Sequence, residues 1–173
     1  AVFLSTDMSR KGLYRWDDAK EPVYVPDCLL PILHGEYGED GSIQGIFKYA
    51  GIPYIGPGIM SSAVAIDKAV TKRLVGGLGL MQADYLEFKL ETGDVKAQCE
   101  EIASYFNNRY PIFVKPANAG SSIGVSKVNS ASEIKDAVSE AYKHHNKIVV
   151  EEGISGREIE VAVLERRDGE LIA

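Results

Sequence analysis

Lys115 stands at the end of an apolar run, Pro111-Ile112-Phe113-Val114-Lys115-Pro116, and Asn118-Ala119-Gly120-Ser121-Ser122-Ile123-Gly124 follows it. One fixed cation beside a short glycine-serine loop offers a charge and several free backbone N–H groups, which is what polyphosphate binding needs. The Gly-Lys-Ser/Thr ending of a Walker loop is absent, and Val125-Ser126-Lys127-Val128 alternates like a returning strand. Phosphates would therefore sit under a β-hairpin and not at a helix N-terminus. A plain surface hairpin with Lys115 lying along it fits the same spacing, because short Gly/Ser loops are ordinary hairpin chemistry.

Lys68 is the second candidate cation; it follows Asp67 in a helix rich in small residues, where a solvated face is the competing reading. Glu151 and Glu152 end the apolar strand Lys147-Ile148-Val149-Val150, and strand ends in α/β folds commonly carry ligands. Glu158 and Glu160 alternate and share one face, either solvated or lining a cleft. His34 closes the run Cys28-Leu29-Leu30-Pro31-Ile32-Leu33 beside an acidic glycine turn, Gly35 to Gly41. A histidine there can bind an anion or move a proton, and Glu39 is close enough in sequence to orient it. His144 and His145 are adjacent at a helix end and diverge, which suits complementation of the helix dipole. The sequence holds no HxxxH, CxxC or nucleophile elbow, and Cys28 and Cys99 read as buried residues.

These residues need elements to position them. Val2 to Ser5 and Gly12 to Trp16 read as short strands, and Cys28 to Leu33 as a buried strand that Pro31 pushes toward a sheet edge. Ile43, Ile46, Phe47 and Ala50 have helix spacing within Ser42 to Ala50, Gly51 suits a C-terminal stop, and Pro53 to Gly56 is strand-like. Strand, glycine turn, helix, strand makes a βαβ unit and predicts a parallel sheet. Ser61 to Leu74 reads as a helix ended by Gly76-Gly77, and Gly93 to Asn107 as another with Val95, Ile102 and Phe106 on its apolar side. The hairpin around Lys115, a helix over Ser132 to Tyr142 with a capping box from Ser130 to Glu133, and the strand Lys147 to Glu152 complete a second, mixed unit. Ile159 to Leu164 alternates apolar residues with Glu160 and then runs apolar.

Composition bounds the function classes. Of 173 residues 45% are hydrophobic, enough to bury a core and to exclude wholesale disorder. Nineteen Lys and Arg against 25 Asp and Glu give a net charge of −6, which argues against non-specific nucleic-acid binding. Two cysteines make no disulfide framework, so a reducing, cytoplasmic setting is expected. The uncharged stretch Tyr49 to Ile66 is broken by Gly51, Pro53, Gly56, Pro57 and Gly58, and a membrane span is not expected from it. Ala1-Val2-Phe3-Leu4 and Leu171-Ile172-Ala173 both read as strand interiors, so the sequence is expected to be an internal stretch of a longer protein.

Together, several ordered segments resemble the D-alanine–D-alanine ligase family of the ATP-grasp superfamily. They are Leu33-His34-Gly35-Glu36-Tyr37-Gly38-Glu39-Asp40-Gly41-Ser42-Ile43-Gln44-Gly45, then Gly51-Ile52-Pro53-Tyr54-Ile55-Gly56, then Ser62-Ala63 with Asp67-Lys68. Tyr110 to Pro116, Gly120 to Val125, and Glu151-Glu152 through Gly156-Arg157-Glu158 continue the set. The resemblance implies an α/β, ATP-grasp fold with a parallel-sheet N-terminal domain followed by an α+β nucleotide-clamping domain. The implied division is 1–56 for part of the N-terminal substrate-binding domain, 57–155 for the central domain and 156–173 for the start of the C-terminal one.

The resemblance also implies ATP-dependent joining of two D-alanines through an acylphosphate, for peptidoglycan precursor synthesis. D-alanine–D-serine or D-alanine–D-lactate ligation, or a non-catalytic nucleotide-binding fragment, are its alternatives. Carried over to matching positions, Lys68 and Lys115 would hold the ATP phosphates, with Gly120, Ser121 and Ser122 closing over them to exclude water. Glu151 and Glu152 would meet the adenine with Ile154 nearby, and Glu158 would take the ribose hydroxyls. His34, supported by Glu39, would lie beside the first D-alanine, where Ser121 would also act. The family's glutamate for the substrate amine would precede Ala1. Its arginine and Mg²⁺ ligands would follow Ala173, so no metal ligand falls within these residues and this stretch alone is expected to be inactive. A homodimer is expected, with no nucleic-acid or membrane partner.

Overall fold

The computed structural model describes residues 1–92 and 94–173. Its organising element is a four-stranded antiparallel sheet made of β3 (Tyr85–Lys89), β4 (Ile112–Pro116), β5 (Ser126–Val128) and β6 (Lys147–Glu152), in the order β3-β6-β4-β5. Residues alternate between the faces of a strand, and here the alternation divides chemistry as well as burial. Ile112 and Val114 of β4, Ile148 and Val150 of β6, Phe88 of β3 and Val128 of β5 point to one side. There they meet Ile102 and Phe106 from the region of α4 (Val95–Tyr105), and Ile134, Ala137, Val138 and Ala141 from α5 (Ile134–Tyr142). The opposite face carries Lys115, Lys147, Val149 and Glu151, and is covered by α3 (Lys68–Gly77) through Ala69.

Local chemistry explains the helix ends. The Asp94 side chain accepts from Lys96 N and starts α4, two residues inside the expected helix; Gly93, its expected first residue, lies outside the described residues. The expected capping box does not form: the Ser130 hydroxyl donates to the Glu133 carboxylate and caps no backbone N–H, while Glu133 accepts from Asn129 N, and a 3₁₀ turn at Ala131–Glu133 precedes α5. The helix expected from Ser61 to Leu74 is two helices, α2 (Ile59–Ile66) and α3. Asp67 is extended (φ −83°, ψ 101°) and caps α3, accepting from Ala69 N and Val70 N. The Thr71 hydroxyl donates back to Val64 O at 2.9 Å, satisfying a carbonyl that the end of α2 leaves free.

The first part of the chain holds a hairpin of β1 (Val2–Leu4) and β2 (Leu13–Arg15), and α1 (Ser42–Ala50) closed by Gly51 at φ 65°. The strand expected over Cys28 to Leu33 is not regular: a single parallel bridge joins Leu29 to Tyr54, with Leu29 N donating to Pro53 O and Ile55 N to Leu29 O. Pro31 has no N–H to extend that ladder, and Leu30, Ile32 and Leu33 are exposed. Cys28 is exposed as well, contrary to the expectation of burial, and Cys99 is partly buried against the core. Strand β3 falls in Leu78 to Thr92, where no element is expected, although Leu86 and Phe88 alternate with Glu87 in the manner of a half-buried strand. At the far end β7 (Leu164–Glu165) pairs with β8 (Leu171–Ile172). Ile159, Val161 and Val163 are exposed and outside any strand. Among the described residues no helix is long and apolar enough to cross a membrane.

Candidate functional site

The ionic face of the sheet begins with parity. Lys115 on β4 and Glu151 on β6 lie on the same side of adjacent strands, where register places Phe113 opposite Glu151 and Lys115 opposite Val149. Their side chains meet in a close ion pair, with Lys115 a quarter exposed and Glu151 less so. The other Glu151 oxygen faces Lys72 Nζ at 3.3 Å, and Lys72 comes from α3. Lys72 Nζ also lies 5.0 Å from the Tyr85 ring centroid. Burial alone would push the Glu151 carboxyl up. The hydrogen bond and charge of Lys115, with the charge of Lys72, override it and hold Glu151 below the ordinary carboxylate range.

Lys68 is the first residue of α3, half-buried, and forms no ion pair among the described residues. Its Nζ donates to Ala119 O at 2.5 Å, directly before Gly120. Burial lowers its pKa first and repulsion from Lys115 lowers it further, against partial support from Glu151 and Asp67. Two cations close enough to repel, one of them without a carboxylate, make a place where an anion lowers the energy.

The loop beyond them suits that charge. Ser121 (φ 49°) and Ser122 (φ 59°) both take left-handed backbone, uncommon outside glycine. Among the described residues no backbone carbonyl accepts the N–H of Gly120, Ser121 or Ser122. Gly124 closes the loop at φ +67°, where a Cβ would stand 2.5 Å from His144 Cδ2 and 2.8 Å from Pro116 Cγ, so only glycine fits. Gly120 lies against the acidic turn: a Cβ built there would be 3.5 Å from both Glu39 Oε2 and Gly35 Cα. Thus the loop and the turn that carries His34 are neighbours, although 80 or so positions separate them in sequence.

Glu39 accepts from Gly35 N at 2.6 Å, holding the backbone next to exposed His34. Glu152 accepts from Asp84 N at 3.1 Å, and its own N–H donates to Asp84 O, so its side chain and amide bind the start of β3. Ile154 and Glu158 are exposed and lie past the sheet. The structure therefore brings together Lys68, Lys115, Glu151 and Gly120–Ser122, with Glu39 against the loop, and leaves Ile154 and Glu158 apart from that cluster in their burial and bonding. Lys72 is the cation that sequence reasoning passed over. Its signal was its place one turn after Lys68, on the same side of α3.

Sheet, helix-borne cations and glycine-serine loop define an α/β protein of the ATP-grasp class. Comparison with known proteins narrows this. Residues 5–57 match the family model for the D-ala D-ala ligase N-terminus, and residues 74–173 match that for the D-ala D-ala ligase C-terminus. The chain belongs to the D-alanine–D-alanine ligase family. It is 48% identical over 144 residues to the D-alanine–D-alanine ligase of Acetivibrio thermocellus, covering 82% of this chain and 38% of that protein. It is 46% identical over 156 residues to that of Mycobacterium tuberculosis, covering 90% of this chain and 40% of the relative. Among solved structures, D-alanyl-alanine synthetase A of Vibrio cholerae superposes with a TM-score of 0.86 at 31% identity, over 99% of this chain and 48% of that one. The VanG D-Ala:D-Ser ligase of Enterococcus faecalis gives 0.83 at 38% identity, over 99% and 47%. The chain spans less than half the length of these relatives.

Proposed function

We propose that these residues form the nucleotide-holding part of an ATP-dependent D-alanine–D-alanine ligase that serves peptidoglycan precursor synthesis. The observation that carries the proposal is the pair of mutually repelling cations, Lys68 and Lys115, at the mouth of a loop in which the N–H groups of Gly120, Ser121 and Ser122 have no backbone acceptor among the described residues. A triphosphate fits this donor set: it supplies the negative charge that Lys68 lacks and competes with Glu151 for Lys115. Release of Glu151 from Lys115 would free one carboxylate oxygen for the exocyclic amine of adenine while Lys72 retains the other. In this reading Glu152 and Ile154 complete the adenine surface and Glu158 takes the ribose.

Gly120, Ser121 and Ser122 would close over the phosphates and keep water from the activated D-alanine carboxyl. His34 and Glu39, carried to the same place by the turn, would line the first D-alanine, with Ser121 opposite. Transfer of phosphate to that carboxylate and attack by the second D-alanine's amine would then be catalysed by positioning and charge neutralisation. Mg²⁺, whose charge would offset that of the phosphates, is assigned to residues after Ala173. The division at 56/57 and 155/156, and a homodimer, belong to the same proposal.

The test is ATP-dependent phosphate release and dipeptide formation by the full-length gene product on adding D-alanine and Mg²⁺. No release with any D-amino acid would sink the reading. The likeness to a D-Ala:D-Ser ligase makes D-serine the second substrate to compare, with D-lactate as a third. The curated relatives at 46–48% identity, named as D-alanine–D-alanine ligases, support D-alanine as the preferred one.

A further inference from the structure

We propose that Lys147 is a positioning residue for Lys68, acting through a buried ion pair with Asp67. The inference rests on the reading of Lys68 as a phosphate ligand and adds a residue that contacts neither substrate. Lys147 opens β6 and Asp67 caps α3; their charged groups meet in a close pair, and both side chains are almost closed to solvent.

The pair belongs to a closed ring. Asp67 Oδ1 accepts from Ala69 N and Val70 N, and the Lys147 ammonium takes the other oxygen. The next residue, Lys68, donates its backbone N–H to Ala117 O at 3.0 Å. Ala117 N in turn donates to Lys147 O at 2.9 Å. Two backbone hydrogen bonds and one ion pair thus lock the first turn of α3 onto the edge where β4 runs into the glycine-serine loop. The Lys68 side chain then has a fixed base, and its tip is held at Ala119 O. A lysine stem has several rotatable bonds, so fixing both ends prepays ordering that phosphate binding would otherwise cost.

Lys147 is a diagonal neighbour of Lys115 on the same face of the sheet, because Lys115 lies opposite Val149. Its ammonium is neutralised by the Asp67 carboxylate that it meets, so the pair presents no net charge to the phosphates, and removing both charges together acts on them chiefly through the placement of Lys68. Removal of Lys147 alone leaves Asp67 buried and unpaired, and the strain falls on the turn that bears Lys68.

The experiment compares full-length wild-type protein with Lys147→Met, Lys147→Arg and the double variant Asp67→Asn/Lys147→Met, measuring KM for ATP, KM for D-alanine and Tm. Lys147→Met should raise the ATP KM about tenfold and leave the D-alanine KM within about twofold, with Lys147→Arg closer to wild type. The double variant, with no unpaired charge, should regain most of the lost Tm while its ATP KM stays raised. An unchanged ATP KM in Lys147→Met, a parallel rise in both KM values, or a double variant with wild-type ATP KM would overturn the proposal. Should Lys147→Met fail to fold, the double variant decides on the same criterion. If wild-type protein makes no dipeptide, the ligase reading has failed; the ring is then tested by calorimetry with ATP, where equal affinity of wild type and double variant refutes it.

Discussion

Strand β6 presents Ile148 and Val150 to α4 and α5 on one side of the sheet, and Lys147, Val149 and Glu151 to α3 on the other. The first side is held by shape and area, which are non-directional and need no particular partner. The second is held by charges that burial penalises and that persist because each meets an opposite one: Lys115 and Lys72 on Glu151, Lys147 on Asp67. Lys68 is the exception, a half-buried cation pointed at a carbonyl. The contrast separates a face that makes the domain stable from one that, on the proposed function, keeps a charge available for a ligand.

The sharpest way to break the first face is to empty it. Phe106 is 2% exposed at the centre of the apolar cluster. Phe106→Ala should lose about 3–5 kcal/mol in urea unfolding, with no specific change in ATP affinity among molecules that remain folded. Where the two faces meet, Gly124→Ala combines a left-handed φ with contacts under 3 Å to His144 and Pro116. It should cost about 2–3 kcal/mol in the same assay.

On the ionic face Glu151→Gln leaves Lys115 and Lys72 without their shared carboxylate and should cost about 1–2 kcal/mol near neutral pH. That cost should vary with pH. The Glu151 carboxyl titrates below its ordinary value of 4.5 in the folded chain, so its contribution is whole above that pH and is lost as pH falls through the depressed folded value. Unfolding of wild type and Glu151→Gln should therefore converge in acid, whereas the deficit of Phe106→Ala should not follow this titration. The smallest effect belongs to Arg73, which is half-exposed and pairs with Glu87 at 2.7 Å. Arg73→Ala should change stability by about 0.2–1 kcal/mol, less in high salt.

Local pattern carried much of this into view before any fold was known. Helix α1 and its Gly51 stop, the β4–loop–β5 hairpin, and the strand Lys147 to Glu152 are legible because each is decided by neighbours within a few positions. The break at Asp67 was not read, since a continuous run of small and apolar residues hides a cap whose worth depends on Lys147, eighty positions away. The strand expected at Cys28 to Leu33 failed for the complementary reason. Apolar character favours a strand, but a ladder also needs a partner, and among the described residues only the bridge from Leu29 to Tyr54 supplies one.

The sequence by itself determined the parity of β4 and β6, the glycine-serine loop and the presence of Lys68, Lys115, Glu151 and His34 in one ordered set. Tertiary structure alone decided which charges meet. Adjacency of β4 and β6 gives Glu151 to Lys115, and the seat of α3 on the sheet brings Lys72 to Glu151 and Asp67 to Lys147. Periodicity records which way a side chain faces. It holds no record of what another strand or helix, brought alongside by folding, will place in front of it.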